Sequence, residues 1–169
     1  MSPAEAKAIA NVFVGGLESE YATTRKVVSA LPDGQLDFKL GEKGRTAGEL
    51  AWHLVASEVW FAKGIVAADF TAEEPPMPPN AKTTDIAALY ETLPALLEKV
   101  KALPGEHLAE ETDFFGIMKM PLVSYLGFWN NHAIHHRGQL STYLRAMNAH
   151  VPSIYGGSAD EPFQMPATA

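Results

Sequence analysis

The chain has no cysteine. That excludes disulfides, a thiolate zinc site and a cysteine nucleophile, and it is compatible with a reducing compartment. Positive charge is scarce: thirteen Lys and Arg stand against twenty Asp and Glu, a formal net charge of −7. A broad phosphate-binding surface needs clustered Lys and Arg, so no nucleic-acid partner is expected. No apolar run approaches the roughly 20 residues of a membrane-spanning helix. The N-terminus, Met1-Ser2-Pro3-Ala4-Glu5-Ala6-Lys7, lacks the charged-then-apolar profile of a signal peptide. There is no internal repeat, and low complexity is limited to a short proline cluster. These absences predict a soluble cytoplasmic protein with no membrane partner.

What is present suits one domain. A chain of 169 residues, 47% of them hydrophobic and 20% charged, is ordinary for a globular protein. At that length it can bury roughly 70% of its unfolded surface without a staple.

Ile9, Val12, Phe13, Leu17, Tyr21, Val28 and Leu31 recur at helical spacing, which predicts a first helix over residues 4–31. Gly15-Gly16 is either a soft spot in it or a close approach of another backbone. Pro32-Asp33-Gly34 ends it. Thr46-Ala47-Gly48-Glu49 has the form of a capping box and opens a second helix to Ala68. Its apolar residues go nearly all the way round, from Leu50, Trp52, Leu54 and Val55 to Val59, Trp60, Phe61 and Ile65, which marks a central helix.

Pro75-Pro76-Met77-Pro78-Pro79 predicts an extended connection, long enough to cross one end of a bundle. Residues 84–103 read as a third helix, kinked by Pro94 with the Tyr90 carbonyl freed, or else as two shorter helices. Asp113 to Met120 reads as two short strands around Gly116. Pro121 suits the first position of a last helix that runs to Asn148. The expectation is an all-α four-helix bundle over residues 1–150, with a short hairpin before the last helix. Residues 151–169 form an irregular tail packed on it, anchored by Ile154, Tyr155 and Phe163.

Three of the six histidines lie in Trp129-Asn130-Asn131-His132-Ala133-Ile134-His135-His136. His132 and His136, four apart, stack on one helical face and can grip one metal ion. Such a pair also arises by chance on solvent-facing helices. Here it shares a stripe with Tyr125, Trp129 and Tyr143, and uncompensated imidazoles facing a protein interior are costly. His53 is either a hydrogen-bonded core residue or a third ligand. Antiparallel packing of the second and last helices would bring it level with the pair. His135, about 100° round the helix from His136, is left to a supporting or solvated role, and His107 and His150 to solvent. Arg137 is read as paired with an acidic neighbour, with a substrate carboxylate or plain solvent as the alternatives, and Gln139 as orienting a ligand. Trp60, Tyr125, Trp129 and Tyr143 are core or the walls of a pocket.

The run His132-Ala133-Ile134-His135-His136-Arg137-Gly138-Gln139-Leu140 resembles the last-helix signature of the DinB-like proteins, the superfamily that includes the YfiT-like proteins. Thr46-Ala47-Gly48-Glu49-Leu50-Ala51-Trp52-His53-Leu54 is similar to the family's second-helix segment. The resemblance covers about residues 5–150, and Pro152-Ser153-Ile154-Tyr155-Gly156 looks like the tails of some members. It implies a four-helix bundle, often a homodimer, with a divalent metal held by His53, His132 and His136. Zinc and nickel lead among the ions that imidazoles suit. It further implies transfer or isomerisation chemistry that uses a small thiol such as bacillithiol, mycothiol or glutathione. The expected function is therefore metal-dependent activation of a thiol for transfer to an electrophile. The alternatives are a metal-dependent hydrolase, for which Glu49 is the one carboxylate placed near His53, and a non-catalytic small-ligand or metal-binding bundle.

Overall fold

The computed structural model describes residues 1–163. The last six residues of the expected tail, Pro166 among them, lie outside that range.

The first helix, α1, is Pro3–Ser29, opened by a capping box between Ser2 and Glu5 with Pro3 in its first turn. Its buried face is Ala6, Ala10, Val14, Leu17, Thr24, Val27 and Val28. Val12, expected in that stripe, is 75% exposed. Small alanines take the buried register, so apolar size alone misassigned the face. A Cβ on Gly15 or Gly16 would meet nothing within 4 Å, so neither glycine serves a close approach.

The second helix, α2, is Ala47–Ala67, and the expected capping box between Thr46 and Glu49 is formed. It is buried almost all round, as its composition predicted. The expected third helix is two: α3, Thr83–Tyr90, and α4, Leu93–Ala102. Pro94 sits in the first turn of α4, where its missing N–H costs nothing, so the break falls at Glu91-Thr92 just before it. A short helix, α5, Gly105–Ala109, was not foreseen. The expected hairpin is present as β1, Glu111–Phe114, and β2, Met118–Pro121, antiparallel with Phe114 opposite Met118. Pro121 therefore ends a strand instead of opening a helix. The last helix, α6, is Ser124–Ala146, two residues short of the expected Asn148, which lies in the left-handed region at φ 53°.

The helical bundle has α1, α2, the α3/α4 pair and α6 as its four members. Helix α6 packs on α1 and α2, and the α3/α4 pair packs on the other sides of the same two. Side-chain contacts fix the directions. Ser57 meets His132 and Tyr143 meets Arg45, so α2 and α6 are antiparallel. Phe13 lies against Gly127 and Glu20 against Arg137, so α1 and α6 are parallel. Arg25 pairs with Glu91 and Glu18 with Lys101, so α1 opposes α3/α4. The order is up, down, down, up. Because α2 and α3 run the same way, the proline-rich connection must return along the bundle's length. Trp60 Nε1 donates to the Ala72 carbonyl and Trp52 Nε1 to that of Pro75. The strap thus lies back along α2, from its end toward its start.

After α6 the chain folds back. Val151 is buried and Ile154 packs on the core, but Phe163 is 71% exposed and anchors nothing. The tail is held by polar contacts instead. Asp160 pairs with Arg145 and accepts from the Val151 amide, and Glu161 accepts from the Ser153 amide. Among the described residues no helix is long and apolar enough to cross a membrane.

Candidate metal centre

The antiparallel α2–α6 seam sets His53 against His136 and Ser57 against His132. One ring nitrogen from each of His53, His132 and His136 lies within 4.8 Å of the other two. The ring centroids are 4.3 Å apart for His132–His136, 4.7 Å for His53–His136 and 5.2 Å for His53–His132. Among the described residues this is the one cluster of such side chains able to hold an ion.

Each ring is held from behind. His53 Nδ1 lies 3.1 Å from Glu74 Oε2, which the strap delivers. His136 Nδ1 lies 2.8 Å from Gln139 Oε1, one turn along α6. His132 Nδ1 lies 3.3 Å from Ser57 Oγ, and the Ser57 hydroxyl donates its own proton to the Leu54 carbonyl. All three partners therefore accept, which places the proton of each neutral ring on Nδ1 and leaves Nε2 as a lone pair. His132 Nε2 and His136 Nε2 face each other at 3.1 Å. Two lone pairs at that distance repel unless a cation lies between them.

A proton is a poor candidate for that cation. Burial, then the neighbouring His136 and His53, pull His132 down to about 4, and burial also lowers His136 against the raising effect of Gln139. Both rings are neutral at neutral pH and free to act as ligands. Tetrahedral zinc with bonds of about 2.0–2.1 Å sets its donors about 3.4 Å apart. The His132–His136 separation is near that already. The donor set fits a divalent ion of the imidazole-binding kind.

Two cavities flank the cluster along the same seam. One, about 420 Å³, runs from His132 past Phe61 and Phe128 to Trp60, Phe114 and Phe115. The other, about 520 Å³, lies beyond Gln139, lined by Lys43, Arg45, Leu50, Thr142 and Tyr143. The first is walled by aromatic rings and the second carries two cations.

The remaining sequence candidates fall elsewhere. His135 is exposed on α6 and outside the cluster. His150 is exposed and meets Glu161. His107, expected in solvent, instead bonds the Ile65 carbonyl at the end of α2. Arg137 is paired, as expected: its side chain, 1% exposed, meets Glu20, Thr24 and the Tyr155 hydroxyl. It cannot serve a substrate carboxylate. Glu49 is committed to its cap, accepting from the Thr46 amide at 2.7 Å.

Glu74 and Glu58 were missed. Glu74 lies in a proline-rich segment with no periodicity to place it. Glu58 had a signal, a charge in a helix apolar on nearly every side. It is 2% exposed and accepts from the Tyr90 hydroxyl and Trp129 Nε1, and burial raises it to about 7.

The sequence profile of the DinB family matches residues 8–164. A Bacillus subtilis (strain 168) protein, uncharacterized YrdA, is 34% identical over 157 residues, covering 88% of this chain and 89% of its own. A solved DinB-like protein from Bacillus cereus ATCC 10987 superposes with a TM-score of 0.72 at 28% identity, over 85% of this chain and 95% of the other. A DinB-like protein from Bacillus subtilis, YjoA, shares the fold at a TM-score of 0.68 and 23% identity, over 83% and 96% of the two chains.

Proposed function

The chain belongs to the DinB family, and from that premise we propose that it holds a divalent ion, zinc or nickel, at His53, His132 and His136 and activates a low-molecular-weight thiol for transfer to an electrophile. The observation that carries the reading is the set of three imidazoles with their outer nitrogens engaged and their inner nitrogens convergent. His53, His132 and His136 would hold the ion as neutral ligands, and the chemistry it would supply there is a lowered pKa for a bound thiol or water.

The protein's own part is positioning. Glu74, Ser57 and Gln139 fix the three rings. Lys43 and Arg45, in the cavity beyond Gln139, offer ground for a thiol that carries carboxylates. Bacillithiol and glutathione have carboxylates and mycothiol has none, so the cavity favours the first two. The aromatic cavity at His132 leaves room for the second reactant.

Water in the same place would give a hydrolase, but Glu49 is spent on a helix cap and Glu74 on His53. A non-catalytic bundle whose aromatic residues fill the space beside the metal would leave no cavity at His132, and a cavity of about 420 Å³ lies there.

The test is metal analysis of tag-free protein, followed by conjugation of bacillithiol, mycothiol or glutathione to 1-chloro-2,4-dinitrobenzene. About one zinc or nickel per chain, lost in His132→Ala, is expected. Negligible metal, or metal untouched by His132→Ala, overturns the centre. A loaded protein that conjugates none of the three thiols overturns the transfer reaction.

A further inference from the structure

We infer that the aromatic cavity beside His132 seats a planar, uncharged aromatic group, and that Phe115 is held in a strained turn to form its outer wall. Calling that group the electrophile rests on the thiol-transfer reading; its binding does not.

Phe115 is the first of the three residues between β1 and β2 and the first central residue of the turn from Phe114 to Ile117. The Ile117 amide donates to the Phe114 carbonyl at 3.0 Å, and Phe115 and Gly116 have φ of 56° and 68°. Both central residues are left-handed, the type I′ pattern, in which Asn, Asp or Gly is favoured at the first position. A bulky side chain there is an outlier that costs energy. Burial does not offset it, because Phe115 is 61% exposed. The Gly116 amide donates to Asp113 Oδ2, which braces the turn, and the ring's own contacts are with Trp60 and Phe114 at the cavity mouth, so the strained residue serves the placement of that ring.

What the turn achieves is ring placement. Phe115 lies parallel to Trp60 within 1°, with centroids 5.8 Å apart, and edge-on to Phe114 at 4.8 Å. Phe61 stands edge-on to Phe128 at 5.6 Å and to the His132 ring at 5.7 Å. A slot of about 420 Å³ thus runs from the exposed ring to the inner imidazole, room enough for a one- or two-ring compound. The charge around it selects further. Glu73 and Glu74 stand at its rim, and neither Lys nor Arg lines it among the described residues. Trp60 Nε1 is already engaged by the Ala72 carbonyl, so the walls offer ring faces and edges in place of donors. Among the side chains that line it, an anion would meet two carboxylates and neither Lys nor Arg.

Isothermal titration with 2-naphthol and with naphthalene-2-sulfonate at pH 7 compares one ring system with and without negative charge. The full chain is expected to bind 2-naphthol saturably and the sulfonate about two- to fivefold more weakly, the usual scale of one unfavourable surface charge. Phe115→Asn removes the ring and suits the turn. It should weaken 2-naphthol about three- to tenfold, as loss of one aromatic pair does, while the melting temperature holds or rises. No saturable binding of 2-naphthol overturns the inference, and so do equal affinities for the two probes or an unchanged affinity in Phe115→Asn. His136→Ala separates this from the metal centre, because that imidazole belongs to the histidine cluster and does not line the cavity. If that variant loses metal and keeps 2-naphthol, cavity and centre are both supported. If 2-naphthol binds a protein that never held metal, the metal centre and the thiol-transfer reading fall and the cavity stands.

Discussion

Glu74 Oε2 stands 3.1 Å from His53 Nδ1, and it reaches that place only because the strap between α2 and α3 runs back over α2. A carboxylate behind a ligating imidazole fixes the tautomer and raises the basicity of the other nitrogen. Glu74→Ala is therefore expected to weaken metal binding about 10- to 100-fold, measured by competition with a chelator. His53→Ala should lose more. Unaltered affinity in Glu74→Ala would reduce the contact to a partly exposed hydrogen bond of little consequence.

The contrast between His132–His136 and Glu74 shows what could be read from the sequence. The histidine pair was legible because a helix has a fixed period, and four residues apart means the same face. The central place of α2 was legible for the same reason: its apolar residues leave no polar face. His53 could be aligned with Ser57 on α2, but its meeting with the pair came from the family resemblance, since helix pairing is not local information. Glu74 was out of reach. Its position follows from two indole N–H groups gripping carbonyls of a segment that has no periodicity. The hairpin was visible through Gly116, yet the start of α6 was not. Pro121 suits a helix start and a strand end equally, and pairing with Glu111 decided the matter.

Arg137 belongs to the signature run yet turns away from the histidine cluster. Its guanidinium is buried against Glu20 and Thr24, with Tyr155 of the tail closing over it at 5.1 Å from ring centroid to the guanidinium carbon. Arg137→Met should cost about 3–5 kcal/mol, because it strands the Glu20 carboxylate. Adding Glu20→Gln should recover much of that loss. Urea unfolding measures both. Metal content in the folded fraction of Arg137→Met should match the wild type, whereas a role at the centre would lower it.

Glu58 makes the core sensitive to pH. Burial raises its carboxyl from 4.5 to about 7, so the folded state binds a proton that the unfolded state gives up. A raised pKa contributes stability fully below the unfolded value and loses it as pH rises through the folded one. Between about pH 4.5 and pH 7 the wild type should lose stability on the order of 3 kcal/mol from this group. Glu58→Gln keeps an acceptor for Tyr90 and Trp129 and has no proton to lose. Thermal melts should show the variant gaining on the wild type at pH 8 relative to pH 5. A constant difference across that range would mean the carboxyl is solvated in the folded protein.

The tail has the opposite sign. Glu161 is held down to about 2, first by the Ser153 amide and then by His150, and Asp160 is lowered by Arg145 and the Val151 amide. A depressed carboxyl contributes above its unfolded pKa and loses that contribution as pH falls through the folded one. The tail's attachment should therefore be intact above about pH 4.3, the ordinary glutamate value, and weaken toward pH 2. Both carboxylates grip backbone amides, so the local observable is exchange of the Val151 and Ser153 amide protons, corrected for intrinsic rate. Protection at these two should fall on acidification before protection in α2 does. Glu161→Gln retains an oxygen for the Ser153 amide but not the charge that His150 meets. In that variant Ser153 should be less protected at pH 7 and change little below pH 4, while Val151, held by Asp160, still responds to acid. If the two amides respond identically in wild type and variant, Glu161 is not what fastens the tail, and the buried Val151 must hold it.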